Sequence, residues 1–169
     1  MKKKRWRESR KPATILKQLA QTPRTLAARR FRHQYGAICF RFVPETEAVD
    51  VLVITSRDTG RWVIPKGWPM KGKKPWQAAA IEALEEAGVR GVVGRKPVGR
   101  YTYLKSLDDG EVVPCMVELY QLEATSVELD FKEKGQRRAA WVSTDEAARR
   151  VREIELKSLL VNFRPKIKR

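Results

Sequence analysis

Apolar positions along the chain fall into short clusters with two different periods. Tyr35 to Val43 (YGAICFRFV) is rich in β-branched and aromatic residues and predicts a strand. Val49 to Thr55 (VDVLVIT) predicts a second, with Pro44 to Ala48 between them as a hairpin-like loop. Arg61 to Pro65 (RWVIP) predicts a third, short one. Gly67, Pro69 and Gly72 then break the chain into a loop that runs to Lys74. From Pro75 the spacing becomes helical, with proline suited to the first helical position and Gly88 to the stop after Ala87. Val98 to Leu104 and Val112 to Leu122 predict two further strands across the turn Asp108-Asp109-Gly110, and Ala140 to Val142 a last short one. Ser143 to Glu146 has the form of a capping box opening a C-terminal helix, with another helical turn or two around Glu155 to Leu160. One helix inserted mid-chain and another at the end, against a mixed sheet, predict an α+β fold: a three-layer sandwich of helices around that sheet.

Composition narrows the class. The 169 residues suit one compact domain, long enough to bury a core without disulfides or structural zinc. Two cysteines, Cys39 and Cys115, cannot build a disulfide framework and fit a reducing compartment; both lie in apolar strands and read as packing residues. The single histidine, His33, cannot form a zinc site alone and reads as a strand-edge residue. No apolar run is long enough for a membrane helix. The expectation is a soluble, cytoplasmic protein that does not engage a membrane.

Charge divides the chain in three. Residues 1–32 hold twelve Lys or Arg against one acid, Glu8, and residues 164–169 add four more cations to the formal net charge of +16. The body, residues 33–163, is left almost neutral. A basic arm of this kind attracts polyanions with a salt-sensitive affinity, so nucleic acid, a phosphorylated compound or an acidic partner are the classes it admits. The other reading of the arm is a solvated extension. Ala13 to Arg30 could form a short basic helix with a weak apolar stripe.

The mid-chain helix carries the candidate chemistry. On a wheel, Trp76, Ala80, Ala83, Leu84 and Ala87 share one face and Glu82, Glu85 and Glu86 the other. The acids stand at i, i+3 and i+4, about 5–6 Å apart between β-carbons, where like charges repel. They lie near the helix C-terminus, where the dipole disfavours negative charge. The one nearby cation, Arg90, lies beyond the Gly88 stop. A divalent ion with a preference for oxygen ligands, Mg²⁺ or Mn²⁺, would reverse the sign of that local energy. A solvated acidic face is the alternative on the wheel alone.

Gly67 to Val89 reads GWPMKGKKPWQAAAIEALEEAGV and resembles the Nudix box, G-x5-E-x7-R-E-U-x-E-E-x-G-U, where U is a bulky apolar residue. Gly67, Glu82, Glu85, Glu86, Gly88 and Val89 match. Lys73 stands in place of the first glutamate, Ile81 in place of the arginine, and Ala83 is small for its slot. Ser56-Arg57, Arg61 to Pro65, Cys39-Phe40-Arg41, Val89-Arg90-Gly91 and the run from Lys134-Gly135-Gln136-Arg137 to Trp141-Val142 are similar to the diphosphoinositol polyphosphate phosphohydrolase branch of that family.

The resemblance implies a Nudix-like α/β/α sandwich that hydrolyses a diphosphate linked to another moiety, with Mg²⁺ or Mn²⁺. Glu82, Glu85 and Glu86 would be the metal-binding or catalytic acids, and the Gly67 carbonyl a metal ligand. Ser56, Arg57 and Arg41 would contact the phosphates of a small phosphorylated substrate. Lys66, with the other loop cations Lys71, Lys73 and Lys74, agrees with a highly anionic one. A family glutamate is held in place by the box arginine, which Ile81 cannot replace; Arg61 or Arg100 are the other cations considered. Glu118 and Glu133 are further acids, read as surface or strand-end positions. The loop Gly67 to Lys74 is also close to a P-loop, yet lacks its Ser or Thr, and Pro69 removes a backbone N–H. A second class stays open: a catalytically degenerate Nudix-like domain that binds a phosphorylated ligand, or nucleic acid through its arm.

Overall fold

In a computed structural model of the chain, residues 31–166 are described. Residues 1–30 of the basic arm, its expected helix and the last three residues lie outside them, while Arg32, counted with the arm, opens the first strand. The elements run β1 (Arg32–Phe42), β2 (Val49–Thr55), β3 (Trp62–Val63), β4 (Lys66–Gly67), α1 (Pro75–Ala87), β5 (Val89–Ser106), β6 (Val112–Val127), β7 (Ala139–Ser143), α2 (Thr144–Arg150) and α3 (Ile154–Val161). The strands form one mixed sheet in the order β3-β2-β1-β6-β5, with β4 added to β1 and β7 to β2. Among the described strands only β1 and β6 pair in parallel, from Arg32 opposite Cys115 to Phe40 opposite Glu123.

The central strand β1 shows why its sequence reads as an apolar run rather than an alternation. Both of its faces are covered. Ala37 and Cys39 point towards α1 and join Ala79, Ala83, Ala87, Leu52, Ile54 and Leu122 in one core. Ile38 and Phe40 point the other way, into a second core with Val51, Val53, Leu119, Ala147, Leu156, Leu160 and Phe163 beneath α2 and α3. The sheet therefore lies between α1 and the α2–α3 pair, the α/β/α arrangement expected of the α+β reading. Cys39 and Cys115 are both buried and unpaired. Among the described residues no helix is long and apolar enough to cross a membrane.

β1 starts at Arg32 rather than Tyr35 and β6 runs on to Val127 rather than Leu122, and two further elements differ in kind or extent. Lys66-Gly67, read as loop, is a strand: Gly67 stands opposite Tyr35 and Lys66 opposite Gly36. A Cβ on Gly36 would lie 3.0 Å from the Pro65 carbonyl, so glycine lets the β4 backbone approach this closely. The strand before the 108–110 turn begins at Val89 rather than Val98. Its first half, VRGVVGRKP, lacks strand periodicity, and its ladder with β6 is broken by register shifts at Arg90/Gly91, Val93/Pro97 and Pro97/Gly99. Pairing with β6 holds it extended despite its composition.

Candidate active site

The site forms where β4, α1 and one loop meet. Helix α1 starts as the sequence implies. Pro75 takes its first position, and the Lys74 N–H donates to Gln77 Oε1 at 2.9 Å. It ends at Gly88, whose φ of 70° lies in the left-handed region that glycine enters without strain. Small residues Ala79, Ala83 and Ala87 face the sheet and let the helix pack closely. The buried side is turned from the wheel's apolar face: Ala78 and Ala79 are buried, while Trp76, Ala80 and Leu84 are only half-buried. It includes Glu86, 8% exposed, which the wheel assigned to the far face. Glu86 lies there because both of its oxygens are bonded. Oε2 accepts the backbone N–H of Lys66 at 3.0 Å, and Oε1 accepts Nη2 of Arg137 at 2.6 Å.

The loop between β6 and β7 closes the cleft from the other side. It is tied to the end of α1 by Glu128 N–H to the Gly88 carbonyl at 2.8 Å and Glu133 N–H to the Glu85 carbonyl at 3.0 Å. It is tied to the end of β2 by a reciprocal pair: Thr55 N–H donates to the Arg138 carbonyl, and Arg138 N–H to Thr55 Oγ1, each at 2.9 Å. Glu133, expected at the surface, is thereby brought to the acids of α1.

The four carboxylates are held unequally. Glu85 pairs with Lys132 at 2.7 Å, across an exposed contact. Glu86 and Glu133 share Arg137, at 2.6 and 2.7 Å. Glu133 also meets Arg57 at 3.3 Å. The Glu82 side chain makes no hydrogen bond or ion pair among the described residues. Burial, then the charges of Glu86 and Glu85, push its pKa up to about 7. Burial also raises Glu86 above the usual carboxylate range, opposed by Arg137 and Lys66. Burial lowers the Lys66 ammonium, whose Nζ lies 5.1 Å over the Tyr103 ring.

A cleft of about 390 Å³ opens on these groups. Glu82, Glu85, Glu86 and Glu133 line one part, with Gly67 beside them. Ser56, Arg57, Lys66, Lys105 and Lys132 supply polar and cationic walls, and Trp68 and Met70 an apolar one. Of the residues expected at the site, Gly67, Glu82, Glu85, Glu86, Ser56, Arg57 and Lys66 all line this cleft. Arg41 does not. It pairs with Asp50 at 3.3 Å and lies 4.7 Å over the Trp141 ring. Arg61 and Arg100 do not reach the acids of α1 either. Arg61 is bound to Glu153, and Arg100 to Glu118 at 2.7 Å.

The donor set can be tested against a divalent ion. All donors are hard oxygens, as Mg²⁺ and Mn²⁺ require. A Cβ on Gly67 would lie 2.0 Å from Glu82 Oε1, so the Glu82 carboxylate fills the space the missing side chain leaves beside the Gly67 backbone. Among the described residues, however, no three acidic, His or Cys side chains stand poised together as a metal centre. Lys132 and Arg137 instead occupy Glu85 and Glu86. The residues fit such an ion once the exposed Lys132 gives up Glu85, while Glu86 keeps a free lone pair on each oxygen.

This arrangement, glycine strand against a glutamate helix within an α/β/α sandwich, is accompanied by a family match over nearly the whole described body. Residues 32–162 match the NUDIX domain, and the chain belongs to that family. Among curated relatives, bovine (Bos taurus) diphosphoinositol polyphosphate phosphohydrolase 3-beta is 39% identical over 72 residues, 43% of this chain and 43% of that protein. Nudix hydrolase 12, mitochondrial, of Arabidopsis thaliana is 28% identical over 131 residues, 69% of this chain and 64% of that one. The chain thus spans less than half the length of the phosphohydrolase it matches. Among solved structures, the C. elegans Ap4A hydrolase superposes with a TM-score of 0.56 at 20% identity, over 78% of this chain and 95% of that one, a likeness of fold.

Proposed function

We propose that this chain hydrolyses a diphosphate linkage in an anionic nucleotide or inositol polyphosphate type of substrate, with Mg²⁺ or Mn²⁺. The observation that carries this reading is the convergence of Glu82, Glu85, Glu86 and Glu133 on one cleft that Arg57, Lys66, Lys105 and Lys132 also line. Paired acids alone would repel a diphosphate, and cations alone would only bind it. Together they suit a substrate and a divalent ion bound side by side.

Glu82, Glu85 and Glu86, with the Gly67 carbonyl, would hold the ion. When bound it would neutralise charge on the diphosphate oxygens and lower the pKa of a water. Glu82, whose side chain has no partner among the described residues, would accept a proton from that water at its carboxylate. Arg57, Lys66 and Ser56 would bind and orient the phosphates. The fork of Arg57 suits two phosphate oxygens at once. The similarity to diphosphoinositol polyphosphate phosphohydrolases and to an Ap4A hydrolase supports highly charged substrates of either kind.

Turnover of a panel of diphosphoinositol polyphosphates, dinucleoside polyphosphates and nucleoside diphosphate sugars, with Mg²⁺ or Mn²⁺ added to metal-free protein, tests this. Metal-dependent phosphate release from at least one is expected. Tight binding of several without release from any would favour the second reading, a ligand-binding domain that has lost turnover. The observations behind that reading are Lys73 and Ile81 in the box and Lys132 seated on Glu85. The basic arm we assign to attraction for polyanions. Removing residues 1–30 should weaken polyanion affinity and its salt dependence without changing kcat on a small substrate. An unchanged salt slope would refute that assignment.

A further inference from the structure

The helix that carries Glu82, Glu85 and Glu86 supplies no cation to hold them, and Ile81 stands immediately before the first. The guanidinium that reaches these acids comes from 51 positions away in the chain. Arg137 uses all three of its nitrogens. Nη2 donates to Glu86 at 2.6 Å, Nε to Glu133 at 2.7 Å, and Nη1 to the Thr55 carbonyl at 2.9 Å. Its three acceptors belong to α1, to the loop that closes the cleft, and to the end of β2. Arg137 and Glu86 are each 9% exposed at their side chains, so water competes little for either.

We propose that Arg137 is the positioning residue of this acid cluster, fixing Glu86 and Glu133 side by side and facing the cleft. The inference rests on the reading of the cleft as a metal-dependent hydrolase. Glu86 is clamped at one oxygen by Arg137 and at the other by the Lys66 N–H, which leaves its carboxylate one orientation. Glu133 would otherwise stand as a like charge beside Glu86 and be driven away from it. The Thr55 bond fixes the guanidinium plane itself, because that carbonyl belongs to the sheet. A lysine at 137 would keep the charge and lose the fork, since one ammonium cannot reproduce three divergent donors in a plane. Lys132 plays no such part: it is exposed and, among the described residues, its ammonium is bonded to Glu85 alone.

Arg137→Lys and Arg137→Ala test this, each compared with wild type in thermal melting, direct Mn²⁺ titration and steady-state kinetics on the best substrate of the panel. Loss of a group that orients metal ligands should cost about 10–100-fold in metal affinity or kcat. Arg137→Lys is expected to melt near wild type, bind Mn²⁺ more weakly, and lose kcat with little change in KM. Arg137→Ala should lose more of both. A folded Arg137→Lys with wild-type Mn²⁺ affinity and kcat would overturn the proposal, as would an Arg137→Ala that is only less heat-stable. If Arg137→Ala does not fold, the lysine variant decides. A wild-type protein that neither binds Mn²⁺ nor turns over defeats the hydrolase reading, and this one with it. An active wild type with an unaffected Arg137→Lys defeats only the role of Arg137.

Discussion

The carboxylate of Glu82 stands where the side chain of residue 67 would be, within 2.5 Å of the Cβ that glycine lacks at all three of its terminal atoms. Gly67 lies on a two-residue strand paired with Tyr35, and Glu82 lies one turn before the end acids of α1. Substitution at Gly67 therefore acts on Glu82 first. The end of a glutamate side chain moves more easily than backbone, so Gly67→Ala is expected to fold with a small loss of stability and to push the carboxylate out of place. A displacement on the scale of 1 Å at a reacting group costs about 10²-fold in rate. Thermal melting and kcat measured together check this. A folded Gly67→Ala with full kcat would separate Gly67 from the site.

Glu82 also predicts a pH dependence in metal-free protein. Its pKa is pushed from the ordinary 4.5 up to about 7, by burial first and then by Glu86 and Glu85. Between those two values the folded state binds the proton more tightly than the unfolded chain. Stability from this group is therefore present below pH 4.5 and is lost as pH rises through 7. Glu82→Gln lacks that loss. In EDTA, the variant should match wild type near pH 4.5 and exceed it at pH 8, as read by urea unfolding. Mn²⁺ at pH 8 should narrow the gap by stabilising wild type. A difference between the two proteins that does not vary with pH would contradict the assigned shift.

Arg61 makes a contrasting prediction, because it is half-buried and serves the fold rather than the cleft. It pairs with Glu153, whose side chain is 8% exposed and whose Oε2 has no hydrogen-bond partner. Removing the arginine leaves a buried carboxylate without compensation. Arg61→Ala should cost about 3–5 kcal/mol in denaturant unfolding. Replacing Glu153 by Gln in the same chain should recover part of that. Loss below about 1 kcal/mol in Arg61→Ala would show that Glu153 is solvated after all.

How much of this was legible follows the range of the interactions. Val49–Thr55 and Pro75–Ala87 emerge with the limits their patterns predict, since apolar spacing, Pro75 and Gly88 are local signals. The three box acids were legible for the same reason, as helical spacing alone puts them on neighbouring turns. Lys66-Gly67 was not, because two residues in a glycine-rich stretch carry no period and their strand exists only through Tyr35 and Gly36. Glu86 was placed on the wrong side of the helix, since a wheel ranks it by polarity and cannot include an arginine from residue 137. Lys132, Glu133 and Arg137 reach the cleft by backbone bonds of their loop to Gly88, Glu85 and Thr55. In the sequence, Glu133 reads as a surface or strand-end acid and Arg137 appears within the run Lys134 to Arg137 that carries the resemblance, but neither shows a contact with α1.

The central claim is hydrolysis of a diphosphate that depends on a divalent ion and on the acids of α1. Initial rates for wild type and Glu82→Gln, with Mn²⁺ and after its chelation, test it most directly. Glu82 is the variant of choice because it holds no partner whose loss would disturb the fold. Wild type should release phosphate only with the ion present, and Glu82→Gln should be slower by about 10²–10⁴-fold while melting no lower than wild type. Equal rates in the two proteins, or a wild-type rate that survives chelation, would contradict the account.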